Sequence, residues 1–120
     1  MRISLVHRLV ALSIVAAAAA HAQGRPLTVE DYYRVKTVGA PHLSPDGRWV
    51  AFTVGTRHEA NNADSSEVWL VASDGSAAAR RVSLAGSHGT GPVWADAERL
   101  TFSAGGRRWS LSPAQPDSLT

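Results

Sequence analysis

The sequence predicts an all-β fold, namely a partial β-propeller with about two blades, and two observations predict it. First, the turn motif Ser44-Pro45-Asp46-Gly47-Arg48, in which Asp46 and Gly47 are expected to adopt positive φ, is followed by a β-prone run from Trp49 to Val54. Second, a degraded copy of this unit returns at residues 92–103, and Phe52 and Phe102 are 50 residues apart, within the range of one propeller blade. Because the first run is apolar on both faces apart from Thr53, we expect a strand that is covered on both sides.

The first 22 residues are predicted to be a secretory signal peptide. Arg2 and Arg8 precede an apolar run over residues 9–20, and Ala20-His21-Ala22 has small residues at the two positions that signal peptidase reads. The run is shorter than the roughly 20 apolar residues that a membrane-spanning helix needs. We therefore expect cleavage after Ala22, a periplasmic or secreted mature chain, and no membrane association after cleavage.

Charge and cysteine content exclude several kinds of partner and site. The chain has 12 Lys and Arg against 10 Asp and Glu, a formal net charge of +2, but Arg2 and Arg8 belong to the predicted signal peptide. The mature chain is then neutral, and no basic stripe with interleaved aromatic residues favours nucleic acid as a partner. Cysteine is absent, which excludes disulfides and thiolate metal sites.

Residues 23–40 are predicted to be a linker and a short docking helix. Thr28 is a suitable N-cap, and Glu30 and Asp31 are acidic residues in the first turn, where the helix dipole favours them. An apolar stripe formed by Tyr32, Val35 and Val38 is expected to face another element, with the helix ending before Gly39 and Pro41.

Residues 41–120 are predicted to be the first blades, truncated within the second. The remaining predicted elements of the first blade are an exposed loop over 55–66, a strand over 67–72, a turn over 73–76, a polar edge strand over 80–84 and a crossing loop over 85–91. In the second copy, residues 92–95, 99–103 and 107–111 are the strands, Gly105-Gly106 is a turn, and Trp109 superposes on Trp69. Fewer than about three such repeats are not expected to be stable alone, so the chain is interpreted as a fragment.

The helix start Leu27-Thr28-Val29-Glu30-Asp31 followed by the Ser44–Arg48 motif resembles the amino-terminal region of exported serine peptidases of the prolyl oligopeptidase family. The acylaminoacyl- and dipeptidyl-peptidase-like branches are most similar, over nearly all of residues 23–111. The second copy departs from the pattern, since Ala95-Asp96-Ala97-Glu98 lacks both the proline and the glycine.

The resemblance implies a propeller that gates peptide access to a carboxy-terminal α/β-hydrolase domain. The catalytic serine, aspartate and histidine of the family lie in that domain, and no G-x-S-x-G motif occurs in this sequence. Two alternatives stay open: a non-enzymatic periplasmic propeller that binds protein partners, as in the Tol system, and a propeller fused to an amidohydrolase.

The sequence assigns no catalytic, cofactor-binding or metal-binding residue. His42 on a predicted turn, and His58 and His88 in predicted loops, lack the spacing of a metal site, and the acids Glu59, Asp64 and Glu67 lack the alternating pattern of a calcium loop. Two further sets could bind a ligand but are better explained by structure. The four tryptophans are predicted to pack between blades, and the arginine pairs are predicted to lie on strand edges: Trp49, Trp69, Trp94 and Trp109; Arg80-Arg81 and Arg107-Arg108.

Overall fold

The computed structural model describes residues 24–39, 41–115 and 119–120, so the predicted signal peptide lies outside the described residues. The described residues form two antiparallel sheets with little helix, which confirms the all-β prediction. The elements are helix α1 (Val29–Arg34), strands β1 (Thr37–Val38), β2 (His42–Leu43), β3 (Trp49–His58), β4 (Ala63–Ala72), β5 (Arg80–Arg81), β6 (Thr90–Asp96), β7 (Arg99–Ala104) and β8 (Arg107–Leu111), and a 3-10 turn at Glu59–Asn61. None of the described helices is long and apolar enough to cross a membrane.

The first sheet is built on a long hairpin of β3 and β4. Its strand order is β1-β3-β4-β5, with β2 also paired to β3, and the hairpin ladder runs from Trp49 opposite Ala72 to His58 opposite Ala63. The exposed loop predicted over residues 55–66 is therefore wrong. Polar residues pair across this ladder as well as apolar ones do, and only the 3-10 turn and Asn62, which adopts a left-handed φ of 48°, reverse the chain.

The turn before β3 forms at the predicted motif, but with one positive φ rather than two. The Gly47 N–H donates to the Ser44 carbonyl at 2.9 Å, and Gly47 has a φ of 74°. Asp46 was also expected at positive φ, which is wrong. Its carboxylate instead accepts hydrogen bonds from the Ser44 hydroxyl at 2.6 Å and from the Arg48 N–H at 3.1 Å. These bonds, with the Arg48 guanidinium, lower the pKa of Asp46 to about 2.

Helix α1 is shorter than predicted and does not bury an apolar stripe. It ends at Arg34 because Val35 is already extended, and Val38 belongs to β1. Tyr32 and Val35 are 52% and 62% exposed. The helix contacts the sheet through Tyr32 instead, whose ring lies 4.6 Å from the Arg57 guanidinium of β3.

The second sheet, in the order β6-β7-β8, repeats the pairing of the first sheet. Three residue pairs of the first sheet have counterparts in the second at the positions that the sequence alignment of the two copies predicts. These are Leu43–Val50 with Trp94–Leu100, Val50–Val71 with Leu100–Leu111, and Phe52–Trp69 with Phe102–Trp109. The tight turn at Gly105-Gly106, with both φ values positive, is also confirmed. The internal repeat is thus present in the strand register.

The edge of the second sheet continues the repeat. The backbone of Thr120 exchanges two hydrogen bonds with Ser110, at 2.8 and 3.1 Å. In the first sheet Arg80 pairs with Leu70, and Leu70 is the counterpart of Ser110. Thr120 therefore occupies the position of the edge strand β5, which covers Arg80–Arg81 and is shorter than the predicted strand over 80–84.

The buried core lies between the two sheets. It consists of Ala51, Val68, Leu70, Val82, Leu100, Phe102, Ala104 and Leu111. Side chains alternate along a strand, so Ala51, Val68 and Leu70 share one face of the first sheet, which we call the inner face. In β3 only Ala51 is fully buried, so the prediction that this strand is covered on both sides is wrong for the described residues.

Candidate functional site

The histidines do not converge. His42 lies in β2 rather than on a turn, His58 lies at the end of β3 rather than in a loop, and His88 lies in a loop as predicted, with a φ of 49°. Within residues 24–39, 41–115 and 119–120, no group of three or more histidines, aspartates and glutamates is placed to hold a metal ion.

Of the acids Glu59, Asp64 and Glu67, the last two make structural contacts. Glu59 lies on the 3-10 turn, Asp64 lies in β4 rather than in a loop, and Glu67 lies in β4, within the predicted strand. Asp64 faces Arg57 across the hairpin at 3.9 Å. Glu67 accepts a hydrogen bond from the Gly86 N–H at 3.2 Å, which links the hairpin to the loop after β5.

His58, Ser65 and Glu67 are the residue types of a hydrolytic triad, but they are connected differently. The Ser65 hydroxyl lies 2.8 Å from His58 Nε2 and 3.4 Å from Glu67 Oε1, so the carboxylate bonds to the serine and not to the imidazole. In a triad the carboxylate orients the histidine. Ser65 is also 7% exposed, which restricts access for a substrate. These hydrogen bonds connect the end of β3 to β4 and therefore stabilise the hairpin.

The arginine pairs lie on sheet edges, as predicted, since β5 and β8 end the strand orders of their sheets. Arg80 also connects the first sheet to the segment that follows β8. Its guanidinium donates to the Pro113 carbonyl at 2.7 Å and lies 5.9 Å from the Trp49 ring centroid.

Three of the tryptophans pack as predicted. Trp49, Trp94 and Trp109 lie against the buried cluster. Trp94 Nε1 donates to the His42 carbonyl at 2.8 Å, which connects β6 to β2, and Trp109 Nε1 donates to the Ala104 carbonyl at 2.9 Å. Trp69 differs, because it points away from the inner face.

The candidate functional site is the face of the first sheet opposite the inner face. Its apolar part, which we call the open face, consists of Val38, Leu43, Val50, Phe52, Val54, Trp69 and Val71. Val38 and Leu43 are 65% and 59% exposed, and the other five are half-buried. A contiguous apolar surface of this kind is a candidate interaction site.

A buried donor lies on the open face without an acceptor. Trp69 Nε1 is buried and has no hydrogen-bond partner, whereas its counterpart Trp109 has one. The difference follows from hairpin length. Ala104 is the last residue of β7, so its carbonyl is available to accept from Trp109. Its counterpart in the first sheet, Val54, lies inside the longer hairpin and is paired with Val38 on one side and Glu67 on the other, so its carbonyl is not available to Trp69.

Sequence reasoning missed this site because it treated the four tryptophans as one set. Only Trp69 and Trp109 are counterparts in the register, since Trp49 corresponds to Arg99 and Trp94 to Leu43. The alternation of Val50, Phe52 and Val54 against Trp69 and Val71 was the available signal.

The cavities do not add a second site. One of about 230 Å³ is lined by Leu84, Phe102, Trp109 and Leu119 among others, and is smaller than the roughly 300–1,000 Å³ of ordinary ligand pockets. A larger one of about 610 Å³ is an open groove along Asp96–Arg99 and Ser110–Ser112.

The chain matches no family model and no curated protein.

Proposed function

We propose that the chain forms the first blades of a β-propeller in an exported serine peptidase of the prolyl oligopeptidase family, where it gates peptide access to a hydrolase domain. The observation that carries the proposal is the register-matched repeat. The Phe52–Trp69 and Phe102–Trp109 pairs are equivalent, and one side of the second sheet packs on the inner face of the first. Sheets stacked face to face in this way, each in contact only with its neighbours, are the arrangement of propeller blades.

The sequence motifs connect this architecture to the family. Helix α1 begins within the Leu27–Asp31 segment, and the Ser44–Arg48 motif forms the turn between β2 and β3. The signal peptide proposed for residues 1–22 would bring the protein to the periplasm or the medium. The described residues contribute packing surfaces and turns, and the chemistry belongs to the hydrolase domain that the proposal requires.

The first experiment is to read the coding frame downstream of Thr120. The proposal expects further repeats and then a G-x-S-x-G motif on a strand-to-helix turn. The complete product should hydrolyse a chromogenic dipeptide substrate and react with a fluorophosphonate serine probe. A complete frame without the motif would overturn the peptidase. Capture of a protein partner from periplasmic extract without hydrolysis would favour the Tol-like alternative.

A second experiment tests gating in that complete product. Arg80→Met removes a hydrogen bond between the first sheet and the segment after β8, and Arg81→Met changes the exposed neighbour on the same strand. If the sheets form a gate, Arg80→Met should raise hydrolysis of long peptides relative to dipeptides, while Arg81→Met leaves the ratio unchanged. An equal ratio in both variants would contradict gating.

A further inference from the structure

The dipeptide Asp-Gly occurs twice in the sequence, and both copies lie in turns. The first copy is Asp46-Gly47, between β2 and β3, and the second is Asp74-Gly75, between β4 and β5. The two turns are alike, since Gly47 and Gly75 adopt positive φ values of 74° and 73°. Asp-Gly is the dipeptide at which an aspartate rearranges most readily to isoaspartate, because glycine has no side chain to shield its backbone nitrogen.

The rearrangement needs only the two residues and solvent water. The glycine nitrogen attacks Cγ of the aspartate, so that a C–N bond forms, a Cγ–O bond breaks, and the amide proton leaves with the carboxyl hydroxyl as water. Water then opens the succinimide ring at one of its two carbonyl carbons. Opening at the former Cγ restores aspartate, and opening at the former backbone carbonyl gives isoaspartate. The product has the same atoms as the original chain, so the step needs no oxidant or reductant.

The two aspartate side chains differ in what holds them. The Asp46 carboxylate accepts from the Ser44 hydroxyl at 2.6 Å, from the Arg48 N–H at 3.1 Å and from the Arg48 guanidinium at 2.5 Å. Within the described part of the chain, Ser76 is the one other residue that is hydrogen-bonded to the Asp74 carboxylate, with its N–H at 2.9 Å. A carboxylate must leave its partners before the ring can close, so Asp74 is the less restrained of the two.

The glycine nitrogens differ in the same direction. The attacking nitrogen must also release its own hydrogen bond. The Gly47 N–H donates to the Ser44 carbonyl at 2.9 Å, and the Gly75 N–H donates to the Ala72 carbonyl at 3.2 Å. The longer of these two bonds is the weaker one, so the nitrogen of Gly75 is released more easily.

The surroundings of the two turns allow different amounts of movement. The first turn lies directly between paired strands, and the Ser44 N–H donates to the Trp49 carbonyl at 2.8 Å. Residues 73–79 are all exposed, and β5 begins only at Arg80. Exposed segments with few contacts are the parts of a fold that change conformation most easily. The aspartate and glycine of the second turn therefore have room to rearrange.

We propose that Asp74 is a site of spontaneous isoaspartate formation, from which Asp46 is protected by its additional contacts. Isoaspartate lengthens the backbone between β4 and β5 by one atom and displaces the carboxylate that accepts from the Ser76 N–H. Because β5 carries the Arg80 contact to the segment after β8, the modification loosens that connection as the protein ages. The modification is independent of the proposed function, since it needs neither a propeller nor a peptidase.

The test follows both sites in one sample. The complete product of the reading frame, with its β-structure verified by circular dichroism, is incubated at neutral pH for several weeks beside a sample unfolded in urea. Trypsin then releases residues 37–48, which contain Asp46, and residues 58–80, which contain Asp74. Chromatography separates the isomers of each peptide, electron-transfer fragmentation locates the isoaspartate, and an isoaspartyl methyltransferase with labelled S-adenosylmethionine measures its amount.

We expect the fold to separate the two sites. In urea both peptides should acquire isoaspartate at similar rates, because the reacting dipeptide is the same. In the folded protein Asp74 should react at least about tenfold faster than Asp46, since two more hydrogen bonds must break at Asp46.

Matched variants test the cause of the difference. Arg48→Met removes one contact of Asp46 from an exposed position and should raise the rate there by about fivefold, the loss of one ordinary hydrogen bond, while the rate at Asp74 stays unchanged. Arg81→Met is the control for the loss of an exposed arginine and should change neither rate. Asp74→Glu should abolish the modification of the second turn, because glutamate would have to close a larger ring.

Three outcomes would overturn the inference: similar rates at Asp46 and Asp74 in the folded protein, isoaspartate at Asp74 in urea but not in the folded protein, or the same rate at Asp46 in Arg48→Met as in the unchanged protein. Each of these results leaves the downstream reading frame unaffected. A missing G-x-S-x-G motif would in turn remove the peptidase and leave the result at Asp74 standing.

Discussion

Replacing the two equivalent tryptophans by phenylalanine should destabilise the chain at Trp109 but not at Trp69. Trp109→Phe removes the hydrogen bond from Nε1 to the Ala104 carbonyl, and Trp69→Phe removes a buried N–H that has no acceptor. Both changes replace an indole by a smaller phenyl ring at equivalent positions in the two sheets, so each serves as the control for the other.

The magnitudes follow from the two environments. The smaller ring buries less apolar surface, which costs about 1 kcal/mol in either variant. Trp109→Phe also loses a hydrogen bond of about 1 kcal/mol, so we expect a destabilisation of about 2 kcal/mol. Trp69→Phe instead relieves an unsatisfied donor, which is worth about 1–3 kcal/mol. The free energy of unfolding should then stay unchanged or rise by up to about 2 kcal/mol.

The assay is urea denaturation of the whole chain, followed by far-UV circular dichroism and by tryptophan fluorescence. Equal slopes in the variants would show that midpoints can be compared directly. The reasoning is refuted if Trp69→Phe lowers the free energy of unfolding as much as Trp109→Phe does, because the indole of Trp69 would then have an acceptor in solution.

Three further outcomes follow from the structure. Gly89→Ala should destabilise the chain by about 1–3 kcal/mol in urea denaturation, because a Cβ there would lie 2.9 Å from a backbone nitrogen of β4. Gly24→Ala is the control, since a Cβ at Gly24 meets open space and the change should be neutral. Equal effects of the two changes would contradict the close approach at Gly89. The pKa of Asp46, about 2 against about 3.9 in an unfolded chain, stabilises the fold above pH 4, and this contribution is lost as the pH falls from about 4 to about 2. Asp46→Asn should flatten that part of the stability profile, and an unchanged profile would count against the turn contacts. Arg80→Met should lower the free energy of unfolding by about 1 kcal/mol relative to Arg81→Met, measured by thermal denaturation. No difference would argue against the hydrogen bond from Arg80 to the Pro113 carbonyl.

The parts of the fold that the sequence predicts well are those with local causes. Gly47, Gly75 and the Gly105-Gly106 pair mark reversals because they adopt positive φ, a conformation that other residues seldom adopt. The alignment of Phe102 on Phe52 and of Trp109 on Trp69 predicts the register, since identical pairing partners require identical spacing on each strand.

The sequence predictions that are wrong concern residues whose conformation depends on pairing with other strands. The polar residues 55–66 have the composition of a loop, yet pairing across the hairpin satisfies the backbone groups of residues 55–58 and 63–66 and makes them strands. Tyr32, Val35 and Val38 have helical spacing, yet pairing of Thr37 and Val38 with β3 makes the segment extended after Arg34. Which face of β3 is covered also depends on the neighbouring sheet, which a single strand's pattern does not contain.

The difference in length between the two hairpins has a consequence for how such chains can diverge. Phe52 and Phe102 are 50 residues apart, but Trp69 and Trp109 are only 40 apart, so the ten additional residues all lie between Phe52 and Trp69. The residue pairs outside these ten residues have the same register in both sheets despite the difference in length. The tip of the first hairpin is thus a place where the length of the chain can change while the core pairs keep their register, and where a foreign peptide could be grafted and displayed.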